Sequence, residues 1–300
     1  MAVTVDHGLR REAAREARDV GALARSLDLA HRTLRWTGDK PSAGVPAAAR
    51  AARYRLLGDA ARRAGATHVV TAHTQDDQAE TLLMRLLRGS GIAGLSAMAR
   101  ESKRDGVTIA RPLLAIPKSR LIATLNKAKI GYADDPTNRD TAFTRPRLRE
   151  LLPLLAAEGG DARGLARLAG RLARANAAVE VLTDGAERYL ALKGHATPKD
   201  TARELDARTF AGLPEEIRLR LLMRAINRFG HEGPAELGKV EALLAELDRS
   251  FAEKHAKISS DPAQIRLKQT LAGALVSLRS GRIRIEPAPL RRRKHVAIGK

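Results

Sequence analysis

The chain has 300 residues, room for about two domains, and 44% of them are hydrophobic, yet aromatics make up only 3%, so its core must be aliphatic. The absence of cysteine excludes disulfides, thiolate metal sites and thiol nucleophiles. No apolar run approaches the ~18 residues of a membrane span and MAVTVDHGLR does not read as a signal peptide, so a soluble cytoplasmic protein is expected. Lys and Arg number 54 against 34 Asp and Glu, a net charge of +20 that attracts polyanions and favours an RNA-binding surface.

In chain order, Ala2-Val3-Thr4-Val5 reads as a strand closed by Asp6-His7-Gly8, and Glu12 to Leu27 as an amphipathic helix. A second strand is expected at His31 to Trp36, a Gly- and Pro-containing loop at Thr37 to Pro46, and a helix at Ala47 to Gly65. The apolar, β-branched run Val69-Val70-Thr71-Ala72 suits a buried strand. After six polar residues the pattern turns helical, with Leu82, Leu83, Leu86 and Leu87 on one face and Gly89 as the stop. This spacing puts His73, Asp76, Asp77 and Glu80 at the carboxyl end of a strand and on the first turn of a helix, where open α/β sheets bind ligands. Two readings of these acids stand side by side: a capping box with Asp77 as cap and Glu80 reaching back, or carboxylates for a nucleotide and its Mg²⁺. Another short strand is expected at Val107 to Leu114, and the alternation of strands and helices indicates βαβ units with a parallel sheet.

Further on, Asp135-Pro136-Thr137-Asn138 is locally a β-turn. Arg145, Arg147 and Arg149 recur at alternate positions, either as a solvated basic stretch or as phosphate contacts. From Asp161 the chain changes character: one long helix runs to about Leu192, with further helices at Pro214 to Phe229 and Gly233 to Arg249. Gln264 to Leu267 and Arg282 to Ile285 alternate charged and apolar residues as half-buried strands do. From Ala263 to the end ten Lys and Arg face one acid, Glu286, and Arg291, Arg292, Arg293 and Lys294 form a basic tail. The expected divisions are 1–116, an α/β domain; 117–160, a helical extension; and 161–300, mainly helical with short terminal strands.

The string His73-Thr74-Gln75-Asp76-Asp77-Gln78-Ala79-Glu80-Thr81, followed by Leu86-Leu87-Arg88-Gly89-Ser90-Gly91, resembles the H-x-x-D-D-x-x-E-T and L-L-R-G-S-G segments of the PP-loop ATP pyrophosphatase superfamily. Within that superfamily it is similar to the tRNA(Ile)-lysidine synthases. Asp6-His7-Gly8-Leu9-Arg10, Arg111-Pro112-Leu113-Leu114, the Asp135 turn and Phe143-x-Arg145-x-Arg147-x-Arg149 before Leu151-Leu152-Pro153 continue the resemblance. It implies an open parallel Rossmann-like sheet of the adenine nucleotide alpha hydrolase type, followed by a mostly helical tRNA-binding domain. It also implies adenylation of a cytidine in the anticodon loop of a tRNA(Ile) with a CAU anticodon, then displacement of AMP by the ε-amine of free L-lysine. ATP and Mg²⁺ are the implied cofactors. Arg111, Asp135 and Asp77 would be catalytic; Asp6, His7, His73, Glu80 and Arg88 would bind nucleotide; Asp77 and Glu80 would hold the metal. Arg145, Arg147, Arg149, Arg291, Arg292 and Arg293 would contact tRNA.

One departure is plain: the S-G-G-x-D-S phosphate loop of the family occurs nowhere, and Gly159-Gly160 leads instead to Asp161-Ala162. The chain begins where the family's second strand begins, which implies a sheet incomplete at its N-terminus and impaired adenylation. Two alternatives therefore remain open: a non-catalytic RNA-binding remnant, and an ATP pyrophosphatase acting on a small molecule.

Overall fold

The computed structural model describes residues 1–9, 12–133, 139–193, 201–256 and 265–290. The chain forms two compact units, Met1–Ala173 and Arg174–Lys300. The division falls inside a long helix, later than the change of character expected at Asp161.

In the first unit, strand β1 (Ala2–Asp6) runs through helix α1 (Ala13–Ser26) to β2 (His31–Arg35), and the two strands pair in parallel. Helix α2 (Val45–Arg63) leads to β3 (His68–Val70), followed by α3 (Gln75–Leu86) and α4 (Ile92–Leu95). Strands β4 (Glu101–Arg104) and β5 (Val107–Ala110) form a hairpin, and β5 pairs in parallel with β3. Strand β4 is absent from the sequence reading although its turn is legible: Asp105 and Gly106 take φ of 50° and 79°, as a tight two-residue hairpin turn requires. Helices α5 (Lys118–Lys127) and α6 (Thr144–Ala157) follow, and the start of α7 (Ala162–Lys193) packs Leu165, Ala169 and Leu172 against Leu82 and Ala97. Of the apolar face expected on α3, Leu82 and Leu83 are buried but Leu86 and Leu87 are 55% and 68% exposed.

The sheet, expected to be incomplete at its N-terminus, is divided in two: β1-β2, and β3-β5-β4. The backbone directions show how. Ala2 N–H donates to Ala30 and Asp6 C=O accepts from Trp36, so Ala2, Thr4 and Asp6 face β2 while Val3 and Val5 face away. Likewise Thr71 N–H donates to Ala110 and Thr67 C=O accepts from Thr108, which turns His68 and Val70 away from β5. Among the described residues no ladder joins β1 to β3. Helix α2 packs against both strands.

The second unit carries, beside its helices, more strand than the two short segments expected. Strand β6 (Arg203–Asp206), helices α8 (Ala207–Ala211), α9 (Glu215–Phe229) and α10 (Leu237–Ala256), and strands β7 (Ile265–Leu271), β8 (Ala274–Arg279) and β9 (Arg282–Pro287) build a four-stranded antiparallel sheet, order β6-β9-β8-β7, packed with α9 and α10. Strand β8 escapes a charge-alternation reading because its partly exposed side begins with Leu275 and only its buried set, Ala274, Val276 and Leu278, keeps period two. Phe210, Leu222, Ile226, Val240, Leu243, Leu247, Val276, Ile283 and Ile285 form its core. The β7–β8 turn needs Gly273: its φ is +80°, and a Cβ there would lie 2.7 Å from the His231 nitrogen. Arg220 and Arg224 on α9 pair with Glu180 on α7, and Arg224 also reaches Asp184 at 2.7 Å.

The two sheet edges define an expected outcome. Hydrogen exchange should be fast at the Val3, Val5, His68 and Val70 amides and slower at Thr4 and Val69, which face a partner strand. Equal protection at both parities would show that the two edges are covered.

Candidate functional site

Helix α3 starts three residues earlier than the Asp77 cap reading requires. Thr74 is the N-cap, in an extended conformation, and Asp77 is the acid of the capping box: its Oδ2 accepts from Thr74 N–H at 2.8 Å and from Thr74 Oγ1 at 2.9 Å. A capping box therefore exists, but Asp77 occupies the third position and Glu80 lies a turn beyond it. Asp76 Oδ2 accepts from the Lys118 N–H at 2.7 Å and so caps α5.

Glu80 is 2% exposed, and its Oε1 accepts from Arg149 Nε at 2.6 Å, with Arg145 Nε 3.8 Å from Oε2. A buried carboxylate needs such partners, and this pair ties α3 to α6. Glu80 Oε1 is thus committed to Arg149, while Oε2 is buried without a hydrogen-bond partner. The helix explains the split of the arginine triplet: positions four apart share a face, so Arg145 and Arg149 both turn to Glu80. Arg147 folds back on its own helix start, donating to Thr141 and Ala142 carbonyls at 2.7 and 3.1 Å. Arg88 lies exposed in the turn after α3, ~17 Å from Asp77 by helix rise, and does not join the others. Asp135, Arg291, Arg292 and Arg293 lie outside the described residues.

The remaining residues do come together. His73 leaves β3 half-buried, its Nδ1 2.9 Å from Thr71 Oγ1. Burial lowers its pKa below 6.5; Asp77 opposes that, and Arg111, Arg50 and Arg53 reinforce it. Arg111 follows the adjacent strand β5 and is 7% exposed. Its Nη1 donates to the Ala99 carbonyl at 2.9 Å and to Ser102 Oγ at 3.1 Å, while its buried Nε has no hydrogen-bond partner. At the carboxyl end of β1, Asp6 Oδ1 accepts from Gly8 N–H at 2.8 Å. His7 stands edge-on to Trp36 at 6.1 Å. Its pKa too is lowered, by burial first, then by Arg53, with Asp6 opposing and Lys40 adding to the effect. Both histidines thus feel Arg53, which sits on helix α2, the helix packed against both β1 and β3. A lowered pKa keeps each imidazole neutral near pH 7, able to accept a hydrogen bond or a proton.

The sequence reading overlooked Arg50 and Arg53. The signal was available: two arginines three apart near the start of a helix, followed by Tyr54, share one face. Among the described residues no group of three or more His, Cys, Asp or Glu could hold a metal ion.

A PP-loop domain family model matches residues 1–155. The tRNA(Ile)-lysidine synthase of Bradyrhizobium diazoefficiens is 70% identical over 299 residues, covering 97% of this chain and 82% of the relative. That of Bradyrhizobium sp. (strain BTAi1) is 64% identical over 298 residues, covering 98% and 83%. Among solved structures, the U34-tRNA thiolase NcsA of Methanococcus maripaludis, with its 4Fe–4S cluster, aligns over 57% of this chain and 61% of that one at 14% identity and a TM-score of 0.49.

Two outcomes follow from the site. Arg149→Ala should destabilise the first unit by ~1–3 kcal/mol in urea unfolding, because it strips the buried Glu80 of its closest donor; the range is modest because Arg149 is itself 35% exposed. Arg147→Ala should cost less. Unchanged stability in Arg149→Ala would return Arg149 to the surface contacts. For the histidines, folding favours the neutral form, so their stabilisation is present above pH ~6.5 and is lost as pH falls through 6.5 toward the lower folded value. His73 should titrate below 6.5 by NMR, and a midpoint at or above 6.5 would contradict its burial.

Proposed function

Because the chain belongs to the tRNA(Ile)-lysidine synthase family of PP-loop proteins, we propose that it ligates free L-lysine to C2 of the wobble cytidine of a tRNA(Ile) with a CAU anticodon. ATP drives the reaction: the cytidine C2 oxygen attacks the α-phosphorus and releases pyrophosphate. The lysine ε-amine then adds at C2 and AMP departs. The observation that carries this reading is the meeting of His73, Asp77 and Arg111 at the carboxyl ends of β3 and β5, inside the matched segment.

Arg111 is suited to stabilise charge on the phosphoryl group or the activated base, since its buried Nε has a hydrogen still to donate. Asp77 keeps Oδ2 on Thr74, which leaves Oδ1 for a ligand. Mg²⁺ commonly takes one or two carboxylates together with phosphate oxygens, a role that Asp77 Oδ1 fits and that Oε2, without a hydrogen-bond partner, leaves open to Glu80. When bound, the ion would neutralise phosphate charge. The neutral His73 and His7 offer acceptors to nucleotide or base. An anticodon loop presents unstacked bases that can enter such a crevice, and a charge of +20 draws in the rest of the tRNA. These substrates place the reaction in the cytoplasm. Asp135 keeps its proposed catalytic role on resemblance alone, and Arg291, Arg292 and Arg293 their proposed tRNA contacts.

The reading to be separated from it is tRNA binding without ligation, which the charge of +20 alone would support. Incorporation of radiolabelled lysine into a tRNA(Ile) transcript, with and without ATP, separates the two. Ligation predicts ATP-dependent incorporation, reduced ~10²-fold by Arg111→Ala and by Asp77→Ala with tRNA binding intact. Binding with no incorporation supports the second reading. An Asp77→Ala variant that loses only ~1 kcal/mol of stability and no rate would reduce Asp77 to its cap.

A further inference from the structure

Four guanidinium groups converge on the crevice. The charges of Arg53, Arg145 and Arg111 all act on Arg50, and those of Arg111, Arg50 and Arg53 all act on His73. Like charges gather at a cost unless something offsets them. The local carboxylates do not suffice: Asp77 is one negative charge beside several guanidinium groups, and Glu80 accepts from Arg149 with Arg145 beside it. Among the described residues Arg50 and Arg53 have no hydrogen-bond or ion-pair partner; both instead lie over the ring of Tyr54, at 5.2 and 5.8 Å from its centroid. Tyr54 is 4% exposed and fixes these side chains from below without neutralising them. Arg50 is half-buried, so its charge is partly stripped of water.

We propose that Arg50 and Arg53 form, with Arg111, a phosphate-binding clamp at the carboxyl ends of β1 and β3. This deepens the ligase reading and rests on it for the identity of the ligand, which is a phosphate group of ATP or of the tRNA backbone. The chemistry is the same in both: planar forked donors on a tetrahedral anion, which arginine matches better than lysine. Position supports it as well. The three-residue spacing turns both side chains to one face of α2, and that helix packs on β1 and β3 together.

The test uses the full chain and measures binding apart from turnover. Equilibrium binding of ATP with Mg²⁺, and of tRNA(Ile) transcript over a salt series, is compared for wild type, Arg50→Ala, Arg50→Lys and the exposed-site variant Arg53→Ala, with folded fraction checked by urea unfolding. A clamp on nucleotide phosphate predicts ATP affinity lower by about 10- to 100-fold in both alanine variants, with tRNA affinity unchanged. A clamp on backbone phosphate predicts instead lower tRNA affinity and a log–log salt slope shallower by ~1. In either case Arg50→Lys should recover part of the loss. Wild-type affinity for both ligands in both alanine variants would overturn the proposal, and so would a loss that disappears at equal folded fraction. Losses in a wild-type background that incorporates no lysine would leave the clamp standing and remove ligation instead.

Discussion

A carboxylate buried to 2% exposure cannot stand alone, and the first unit is arranged around satisfying Glu80. The residues that do so, Arg149 and Arg145, come from a helix almost seventy residues later. Their pairing with Glu80 sets α6 against α3. Replacing such a pair by apolar residues is often neutral for stability, whereas removing one partner is not, so its worth lies in fixing which helix meets which. Its consequence for the site is direct. Arg145 is held where its charge reaches Arg50.

Beyond that pair the crevice is a balance between positive charge and neutral imidazole. Histidines that burial and nearby arginines keep unprotonated add nothing to the repulsion, and they present acceptors among many donors. The arrangement favours ligands that bring several negative charges and a few hydrogen-bond donors, as a nucleotide and an anticodon loop both do. It is poorly suited to a cation held by protein carboxylates alone.

How much of this could be read from the chain follows from the range of each signal. Periodic, local patterns were legible: the strand at Ala2, the long α7 and the strand at Arg282 all match their apolar spacing. The turn acids near Asp77 were placed on the right helix start, yet one turn out of register, because Thr74, Asp77 and Glu80 repeat at three and either pair can close a capping box. The Glu80–Arg149 pair was invisible, since nothing in a sequence says which of many arginines folds back on a given acid. Arg50 and Arg53 were missed for the opposite reason: in a chain with 54 basic residues, two on a helix face look ordinary until Tyr54 and the neighbouring charges fix them.

The central claim is that ATP and the tRNA meet at the carboxyl ends of β1, β3 and β5. Photocrosslinking of an azido-adenine ATP analogue to the full chain in the presence of tRNA, with the labelled peptides mapped by mass spectrometry, tests it most directly. The account predicts labels within residues 1–9, 45–54 or 71–80, competed away by unlabelled ATP. Specific labelling confined to residues 174–290 would contradict it.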